Sequence, residues 1–171
     1  MEHLGSVGPD LSDQQYGFRV GRSTIEAIMR VKAYSDEAIA RGEVLLAVSL
    51  DIVNAFKPWS CIREALMFHR LPLYLRRIVA DYLSGRYISY TGHTGDMVRR
   101  EVSRGVPQGS VLGPLLWNIG YDWVLRGNLP PGVNLVCYAD DTLVTARASN
   151  FEDAVRLASI SVEQVVSRIR F

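Results

Sequence analysis

Three aspartates in this sequence stand where carboxylates could act together. Asp51 directly follows an almost entirely apolar run over residues 43–50, and the adjacent pair Asp140 and Asp141 separates two further apolar runs. A single aspartate at the end of a strand is usually a turn residue that bonds its own backbone, and Asp51 taken alone would be interpreted in that way. The adjacent pair is harder to explain as an ordinary turn, because two neighbouring carboxylates repel each other and lose hydration at the mouth of a core. We therefore expect a cation to compensate this pair.

The chemistry of such a site depends on whether the three carboxylates meet. If the strand that ends at Asp51 lies beside the hairpin that carries Asp140 and Asp141, all three converge at one edge of a sheet. Mg²⁺ prefers such oxygen ligands, and it typically takes one or two carboxylates together with substrate phosphates. Two such ions can activate an attacking hydroxyl and stabilise the leaving oxygen of an in-line phosphoryl transfer. The spacing alone predicts a generic metal–carboxylate site and does not distinguish between substrates.

The patterns around these aspartates predict helices interleaved with strands. After an irregular lead-in, Ser23 and Glu26 form a capping-box pattern that starts the first helix, and Gly42 is expected to end it. The predicted helices cover residues 23–41, 61–69, 72–84, 110–126 and 150–171. The predicted strands cover residues 43–50, 86–91, 97–102, 133–138 and 142–147. Because the strands are partly antiparallel, α+β fits better than a doubly wound sheet.

Some residues are expected to serve the core alone. The run over residues 43–50 is typical of a strand buried on both faces. The tryptophans at helical positions, Trp59, Trp117 and Trp123, are interpreted as core side chains. Cys61 and Cys137 sit in apolar stretches with no CxxC spacing, so we expect buried reduced thiols of an intracellular protein rather than a disulfide or a zinc site.

Composition bounds the possible partners. The hydrophobic fraction is 48% and the charged fraction 22%, which are ordinary values for a globular protein. The net charge is only +1. The lack of a strong basic excess counts mildly against a nucleic-acid partner, although the distribution of charge matters more than its sum. No apolar run approaches the roughly 20 residues that a membrane helix needs, so no membrane partner is expected.

Four segments together resemble the reverse transcriptases. Residues 138–141, YADD, resemble the signature tetrapeptide of the family, and residues 50–56, LDIVNAF, resemble its first catalytic motif. Residues 105–118, GVPQGSVLGPLLWN, resemble the segment between these motifs, and residues 15–24, QYGFRVGRST, resemble the segment upstream. Order and spacing agree over residues 10–147, and four such motifs in order do not readily arise by chance. The third segment is most similar to non-LTR retrotransposons of the arthropod type.

The resemblance implies a fold. The chain is expected to be a reverse transcriptase-type palm with part of the fingers, in which an antiparallel sheet packs on helices and the thumb is missing. Residues 1–42 would be a fingers-side segment and helix, and residues 43–171 the palm, together forming one partial domain over residues 1–171. The chain looks truncated at both ends, so the rest of the fingers, the thumb and an endonuclease are expected elsewhere in a longer polyprotein. An exposed apolar surface is predicted where fingers and thumb would pack.

The resemblance also implies a reaction. Asp51, Asp140, Asp141 and the backbone of Ile52 are the implied ligands of two Mg²⁺ ions, or of Mn²⁺ in their place, and Asp141 lies near the primer end. The reaction is the attack of a primer 3′-hydroxyl on the α-phosphate of a deoxynucleoside triphosphate, directed by RNA. The implied partners are therefore an RNA template, a DNA primer and dNTPs. The family implies an intracellular, nuclear site of action, although no targeting signal is visible.

Further residues receive roles from the resemblance. Phe56 packs under the incoming sugar and excludes a 2′-hydroxyl, whereas without the motif it would be interpreted as a core aromatic. Ala55 and Gln108 would also contact the dNTP. The implied template and primer contacts are Gly105, Pro107, Gly109, Tyr138, Arg19 and Arg22. An ordinary connecting loop explains the glycines equally well from composition, and solvated loop arginines are an equal alternative for Arg19 and Arg22.

Two alternatives remain open at this point. One is a group II intron-type or other cellular reverse transcriptase, which shares the YADD tetrapeptide; viral RNA-copying polymerases rank lower because they more often carry Gly-Asp-Asp. The other is a catalytically inactive retroelement remnant that acts at most as a nucleic-acid or protein-binding module. An attached endonuclease would favour a retrotransposon, whereas weak, salt-sensitive nucleic-acid binding without synthesis would favour the remnant.

Overall fold

The computed structural model describes residues 8–51, 58–107 and 109–170. It divides into two compact units. The first, which we call the hairpin unit, comprises Met1–Asp10 and Phe56–Gly120, and the second, the sheet unit, comprises Leu11–Ala55 and Tyr121–Phe171. All three aspartates singled out above belong to the sheet unit.

The described residues form helices and strands in nearly the predicted order. In chain order they are α1 (Thr24–Ala40), β1 (Val44–Leu50), α2 (Trp59–Phe68), α3 (Leu73–Leu83), β2 (Tyr87–Thr91), β3 (Met97–Glu101), α4 (Gly113–Leu125), β4 (Val133–Tyr138), β5 (Asp141–Ala148) and α5 (Phe151–Arg170). The strands form two antiparallel sheets, so the predicted α+β class with antiparallel sheets packed on helices is confirmed.

Helix α1 begins as its sequence predicts. The Ser23 hydroxyl oxygen accepts a hydrogen bond from the Glu26 backbone N–H at 3.2 Å, which satisfies one of the donors that a helix start leaves open. The hydroxyl in turn donates to the Glu26 carboxylate at 3.1 Å. At the other end Gly42 has a φ of +66°, a conformation that glycine adopts without strain, and the chain turns there into β1.

The sheet unit is built on three antiparallel strands in the order β1-β5-β4. Leu135 lies opposite Val144 in the register, and both are buried with Ala154, Ala158 and Val165 of α5. Helix α5 packs against β5 and β1. Since side chains alternate along a strand, the next pair faces the other way: Val136 and Leu143 cluster with residues of α1. The sheet therefore packs against a helix on each face.

The prediction that β1 is buried on both faces is wrong. Ala47 and Ser49 are exposed, and the remaining residues of β1 are only partly buried. In the described sheet β1 is an edge strand, paired with β5. An apolar composition does not report whether a strand is central or at an edge, so this difference could not be read from the sequence.

The hairpin unit holds α2, α3, the β2–β3 hairpin and the first part of α4. The predicted β2–β3 strands are confirmed, but all five residues of β2 are exposed. His69 is buried, and its Nδ1 lies 2.7 Å from the carbonyl oxygen of Pro9. Trp59 is partly buried, and its indole N–H donates to the Gly105 carbonyl at 2.8 Å.

One of the three tryptophans is not a core residue. Trp123 is 63% exposed on α4, so its assignment to the core is wrong. The apolar pattern of α4 runs almost all round the helix, and such a pattern cannot tell which side faces water.

Near the start of α1, several large apolar side chains are exposed to solvent. Five of them are more than half exposed: Phe18, Val20, Ile25, Ile28 and Met29. What covers them in a longer protein stays a prediction. No helix within residues 8–51, 58–107 and 109–170 is long and apolar enough to cross a membrane.

The Leu135→Ala variant tests the core of the sheet unit. Leu135 is 1% exposed, so the substitution removes buried methyl groups and leaves a cavity, and we expect a loss of about 2–5 kcal/mol in the free energy of unfolding. Urea titration followed by circular dichroism measures it. The matched control is Ile39→Ala, because Ile39 is 72% exposed and should change stability by no more than about 0.5 kcal/mol. Equal losses in the two variants would contradict the placement of Leu135.

Candidate active site

The two adjacent aspartates lie at a tight turn. Strand β4 ends at Tyr138, β5 begins at Asp141, and these two residues pair with each other. Ala139 and Asp140 are therefore the two residues of the turn. Ala139 has a φ of +58°, in the left-handed region that residues with a side chain seldom adopt. A positive φ at the first of two turn residues is typical of a type II′ hairpin, a position that usually favours glycine.

Strand pairing brings Asp51 to the same edge of the sheet. Leu50, the last residue of β1, pairs with Thr142, and Asp51 follows Leu50 directly. Because the strands are antiparallel, the end of β1 lies beside the start of β5, where Asp141 stands. The condition that the sequence left open, that the strand ending at Asp51 lies beside the acidic hairpin, is met. Asp51, Asp140 and Asp141 are all exposed.

The carboxylates share an edge without forming a closed ligand cluster. Within the described residues, no group of three His, Cys, Asp or Glu side chains is arranged to hold a metal ion. The donor chemistry nevertheless fits a hard divalent cation, since all three residues offer carboxylate oxygens and are open to solvent and to a phosphate-bearing substrate. Ile52, the predicted backbone ligand, lies outside the described residues.

The other predicted contacts are divided between the two units. Tyr138 is in the sheet unit, partly exposed at the end of β4 and paired with Asp141. Gly105, Pro107 and Gly109 belong to the hairpin unit, where both glycines have positive φ values and the Pro107 carbonyl accepts a hydrogen bond from the Ser110 hydroxyl at 2.7 Å. The predicted dNTP contacts lie outside the described residues: Ala55, Phe56 and Gln108.

The two arginines of the upstream motif contact their own segment. Arg19 donates to the Ser12 carbonyl at 2.6 Å. Arg22 forms an ion pair with Asp13 at 2.6 Å, and its guanidinium lies 5.3 Å from the centroid of the Tyr16 ring. These bonds shape the loop before α1, and contact of either arginine with a template stays a prediction.

The lead-in is more ordered than its composition indicates. The Tyr16 N–H donates to the Cys137 carbonyl at 2.7 Å, and the Cys137 N–H donates to the Gln14 carbonyl at 2.8 Å. Gln15 thereby forms a parallel bridge with Cys137. Near its start the segment is held by the buried Asp122 carboxylate, which accepts from the Ser12 N–H at 2.6 Å. The irregular lead-in of the sequence analysis thus pairs with β4 just before the turn.

In the sequence, Gln15 is recognisable only as the first residue of the upstream motif, residues 15–24. Its side chain is buried against the turn, and its amide forms hydrogen bonds with both the N–H and the carbonyl of Ala139. A glutamine that opens a motif and is followed two residues later by glycine is a weak signal by itself. Nothing in the sequence indicates that this amide meets a backbone group 124 residues away.

Neutral polar groups lie behind the exposed carboxylates. The Tyr121 hydroxyl and the Thr142 hydroxyl are 2.8 Å apart, and burial raises the pKa of Tyr121 well above its ordinary value. Burial likewise raises the pKa of the Cys137 thiol, to about 12, and the protonated thiol donates to the Ala139 carbonyl at 3.2 Å. Cys137 is buried and free as predicted, while Cys61 is only partly buried.

This fold is shared with a solved telomerase. The apo telomerase of Candida tropicalis, truncated from its C-terminal domain, matches with a TM-score of 0.60 at 12% identity, over 88% of this chain and 32% of that one. Such a likeness establishes the fold, an α+β arrangement of antiparallel sheets on helices.

The chain belongs to the reverse transcriptase family: the family model described as Reverse transcriptase (RNA-dependent DNA polymerase) matches residues 1–169. It is similar to non-LTR retrotransposon proteins of insects. A protein of transposon X-element of Drosophila melanogaster, described as a probable RNA-directed DNA polymerase, is 33% identical over 83% of this chain. The RNA-directed DNA polymerase from mobile element jockey of the same fly is 30% identical over 80% of the chain. The chain spans 16% of the length of each of these relatives.

The buried thiol gives a test of the site's interior. At pH 8 a pKa of about 12 instead of 9.0 lowers the thiolate fraction of Cys137 by about 10³-fold, and the thiolate is the species that alkylates. We expect iodoacetamide to modify Cys137 at least about 100-fold more slowly in the folded chain than in urea. Mass spectrometry of both peptides measures the rates, with Cys61 as the internal comparison. Equal rates for Cys137 in the folded and unfolded chain would contradict its burial.

Proposed function

We propose that this chain is the catalytic part of an RNA-directed DNA polymerase of a non-LTR retrotransposon. The observation that carries the proposal is the strand register, which brings Asp51 to the sheet edge where Asp140 and Asp141 stand. These aspartates belong to separate motifs of the family to which the chain belongs. A sheet edge that gathers carboxylates from distant parts of the sequence supports a role for them in one site.

In the proposed mechanism Asp51, Asp140 and Asp141 would hold two Mg²⁺ ions, with the backbone of Ile52 as a further ligand. When bound, the ions supply Lewis-acid activation of the primer 3′-hydroxyl and neutralise charge on the transferred phosphate. The chain itself contributes position. The carboxylates are exposed, so a triphosphate can reach them. The pairing of the strands fixes the backbone positions from which these side chains extend. Such positioning and charge compensation account for most of the catalysis in phosphoryl transfer.

The substrates follow from the same proposal. An RNA template, a DNA primer and dNTPs bind around the acidic edge. Phe56, Ala55 and Gln108 contact the incoming dNTP, and Tyr138, paired with Asp141, lies at the primer end. The further residues proposed to contact the template or the primer are Gly105, Pro107, Gly109, Arg19 and Arg22. The remaining fingers, thumb and endonuclease are proposed to come from a longer polyprotein that acts in the nucleus.

The alternative function is that of a catalytically inactive retroelement remnant, which would bind nucleic acid without copying it. Such a remnant would bind RNA in a salt-sensitive way and would show no Mg²⁺-dependent synthesis.

The Asp140→Asn variant decides between these functions. In a protein that supplies this chain with fingers and thumb, we expect wild-type extension of a DNA primer on an RNA template in Mg²⁺, and a loss of about 100-fold or more in the variant. The physical reason is the removal of one negative charge from the metal-holding edge. The control is Asp36→Asn, because Asp36 is exposed on α1 and pairs with Lys32. Absence of extension in the wild type as well would favour the remnant.

The Phe56→Ala variant tests how the sugar is selected. Removal of the aromatic ring should open space for a 2′-hydroxyl, so we expect ribonucleotide incorporation relative to deoxyribonucleotide incorporation to rise by about tenfold or more. Single-nucleotide extension with each triphosphate measures the ratio. Phe68→Ala is the matched control, since Phe68 is half exposed on α2. Unchanged selectivity in Phe56→Ala would refute the assignment.

A further inference from the structure

The turn that carries Asp140 is strained at its first residue. Ala139 has a φ of +58°, a conformation that is sterically unfavourable for a residue with a side chain. Strain of this kind persists only where the surroundings over-determine the backbone. Ala139 directly precedes Asp140. The group that holds Ala139 therefore also fixes the backbone position from which the Asp140 side chain extends.

The Gln15 side chain supplies that hold. Its Oε1 accepts from the Ala139 N–H at 3.1 Å, and its Nε2 donates to the Ala139 carbonyl at 3.2 Å. One amide therefore satisfies both backbone groups of the strained residue. Oε1 also accepts from the Gly17 N–H at 3.0 Å, and Nε2 lies 3.4 Å from the Cys137 sulfur. Gln15 is 1% exposed, so water does not replace these bonds.

The backbone around Gln15 is fixed independently of its side chain. The Cys137 N–H donates to the Gln14 carbonyl and the Tyr16 N–H donates to the Cys137 carbonyl, on either side of Gln15. A Cβ added to Gly17 would overlap the backbone nitrogen of Ala139, so the two segments are in direct main-chain contact there. Gln15 is thus presented to the turn by a frame that a change of its side chain would leave in place.

We propose that Gln15 is a positioning residue for the proposed polymerase reaction. It acts through Ala139: its amide holds the left-handed turn and thereby sets the direction from which the Asp140 carboxylate enters the site. This role rests on the proposed function, because Gln15 touches the turn and not a substrate. Without the amide, Ala139 loses one hydrogen bond on each of its backbone groups, while its carbonyl keeps the bond from the Cys137 thiol, and the turn can relax to an ordinary conformation. Sites of this kind tolerate displacements of only about 0.5 Å.

The experiment uses a protein that contains this chain with its fingers and thumb. Gln15→Met keeps the length of the side chain and removes its hydrogen bonds. Two quantities are measured: hydrogen exchange of the peptide that contains Ala139, without metal or nucleic acid, and single-nucleotide incorporation, which separates the maximal rate from the primer–template affinity. We expect exchange at the turn to accelerate and the maximal rate to fall by about tenfold or more, with primer–template affinity changed less than about threefold.

The matched control is Thr145→Val. Thr145 is fully buried in β5, and its hydroxyl donates to the Asn134 carbonyl at 3.4 Å, away from the turn. This variant also removes a buried polar group, but it should leave both turn exchange and the maximal rate close to wild type. If Gln15→Met does not fold, Gln15→Asn replaces it, because the shorter amide cannot span both backbone groups of Ala139 and should shift both readouts in the same direction.

The outcomes separate this proposal from the function on which it rests. Unchanged exchange in the Gln15 variant overturns the hold on the turn, and faster exchange with an unchanged maximal rate overturns the positioning role. A fall in rate no larger than that of Thr145→Val does the same. A wild-type protein without synthesis refutes the proposed function, while the exchange measurement still tests whether Gln15 holds the turn.

Discussion

The pairing of Leu50 with Thr142 is the constraint on which the arrangement of the site depends. It places the end of β1 beside the start of β5, and so brings Asp51 to the edge where Asp140 and Asp141 stand. Because side chains alternate along a strand, a slip of one residue would turn every side chain of β1 to the opposite face. The apolar pairs beyond it, such as Leu135 with Val144, fix the neighbouring register of β4 and β5. Packing of the core therefore determines the geometry of the carboxylates.

Behind this acidic edge the protein places neutral hydrogen-bonding groups. The Tyr121 and Thr142 hydroxyls bond each other, and the Cys137 thiol and the Gln15 amide both reach the Ala139 carbonyl. None of these groups adds a charge, so the negative potential of the edge is left to the aspartates. Buried polar groups that are fully bonded also make a turn rigid, since each unmade bond in an environment without water costs about 1–3 kcal/mol. Hydrogen bonds thus fix the conformation of the turn, and the aspartates alone give the edge its negative charge.

The sequence predicted most of the elements and the acidic residues, for reasons that are local. The capping box at Ser23, the stop at Gly42 and the hairpin around Asp140 each depend on neighbours in the chain. The errors concern what distant parts of the chain do. The edge position of β1 and the exposure of Trp123 are set by which elements pack against them, and apolar periodicity does not encode that. The role of Gln15 was missed for the same reason, since its partner is far away in the sequence.

The sheet unit is assembled from two segments that are far apart in the sequence, Leu11–Ala55 and Tyr121–Phe171. Strand β1 pairs with residues about a hundred positions later, and the bond between Gln15 and Ala139 spans 124 positions. Closing such long loops is slow, because the intervening chain loses conformational entropy before any favourable contact compensates for that loss. During synthesis on a ribosome, β1 cannot pair until β5 has emerged. Until then its unpaired backbone groups can form hydrogen bonds with other strands. The acidic edge therefore forms late in folding, because Asp51 is synthesised long before the sheet that positions it is complete.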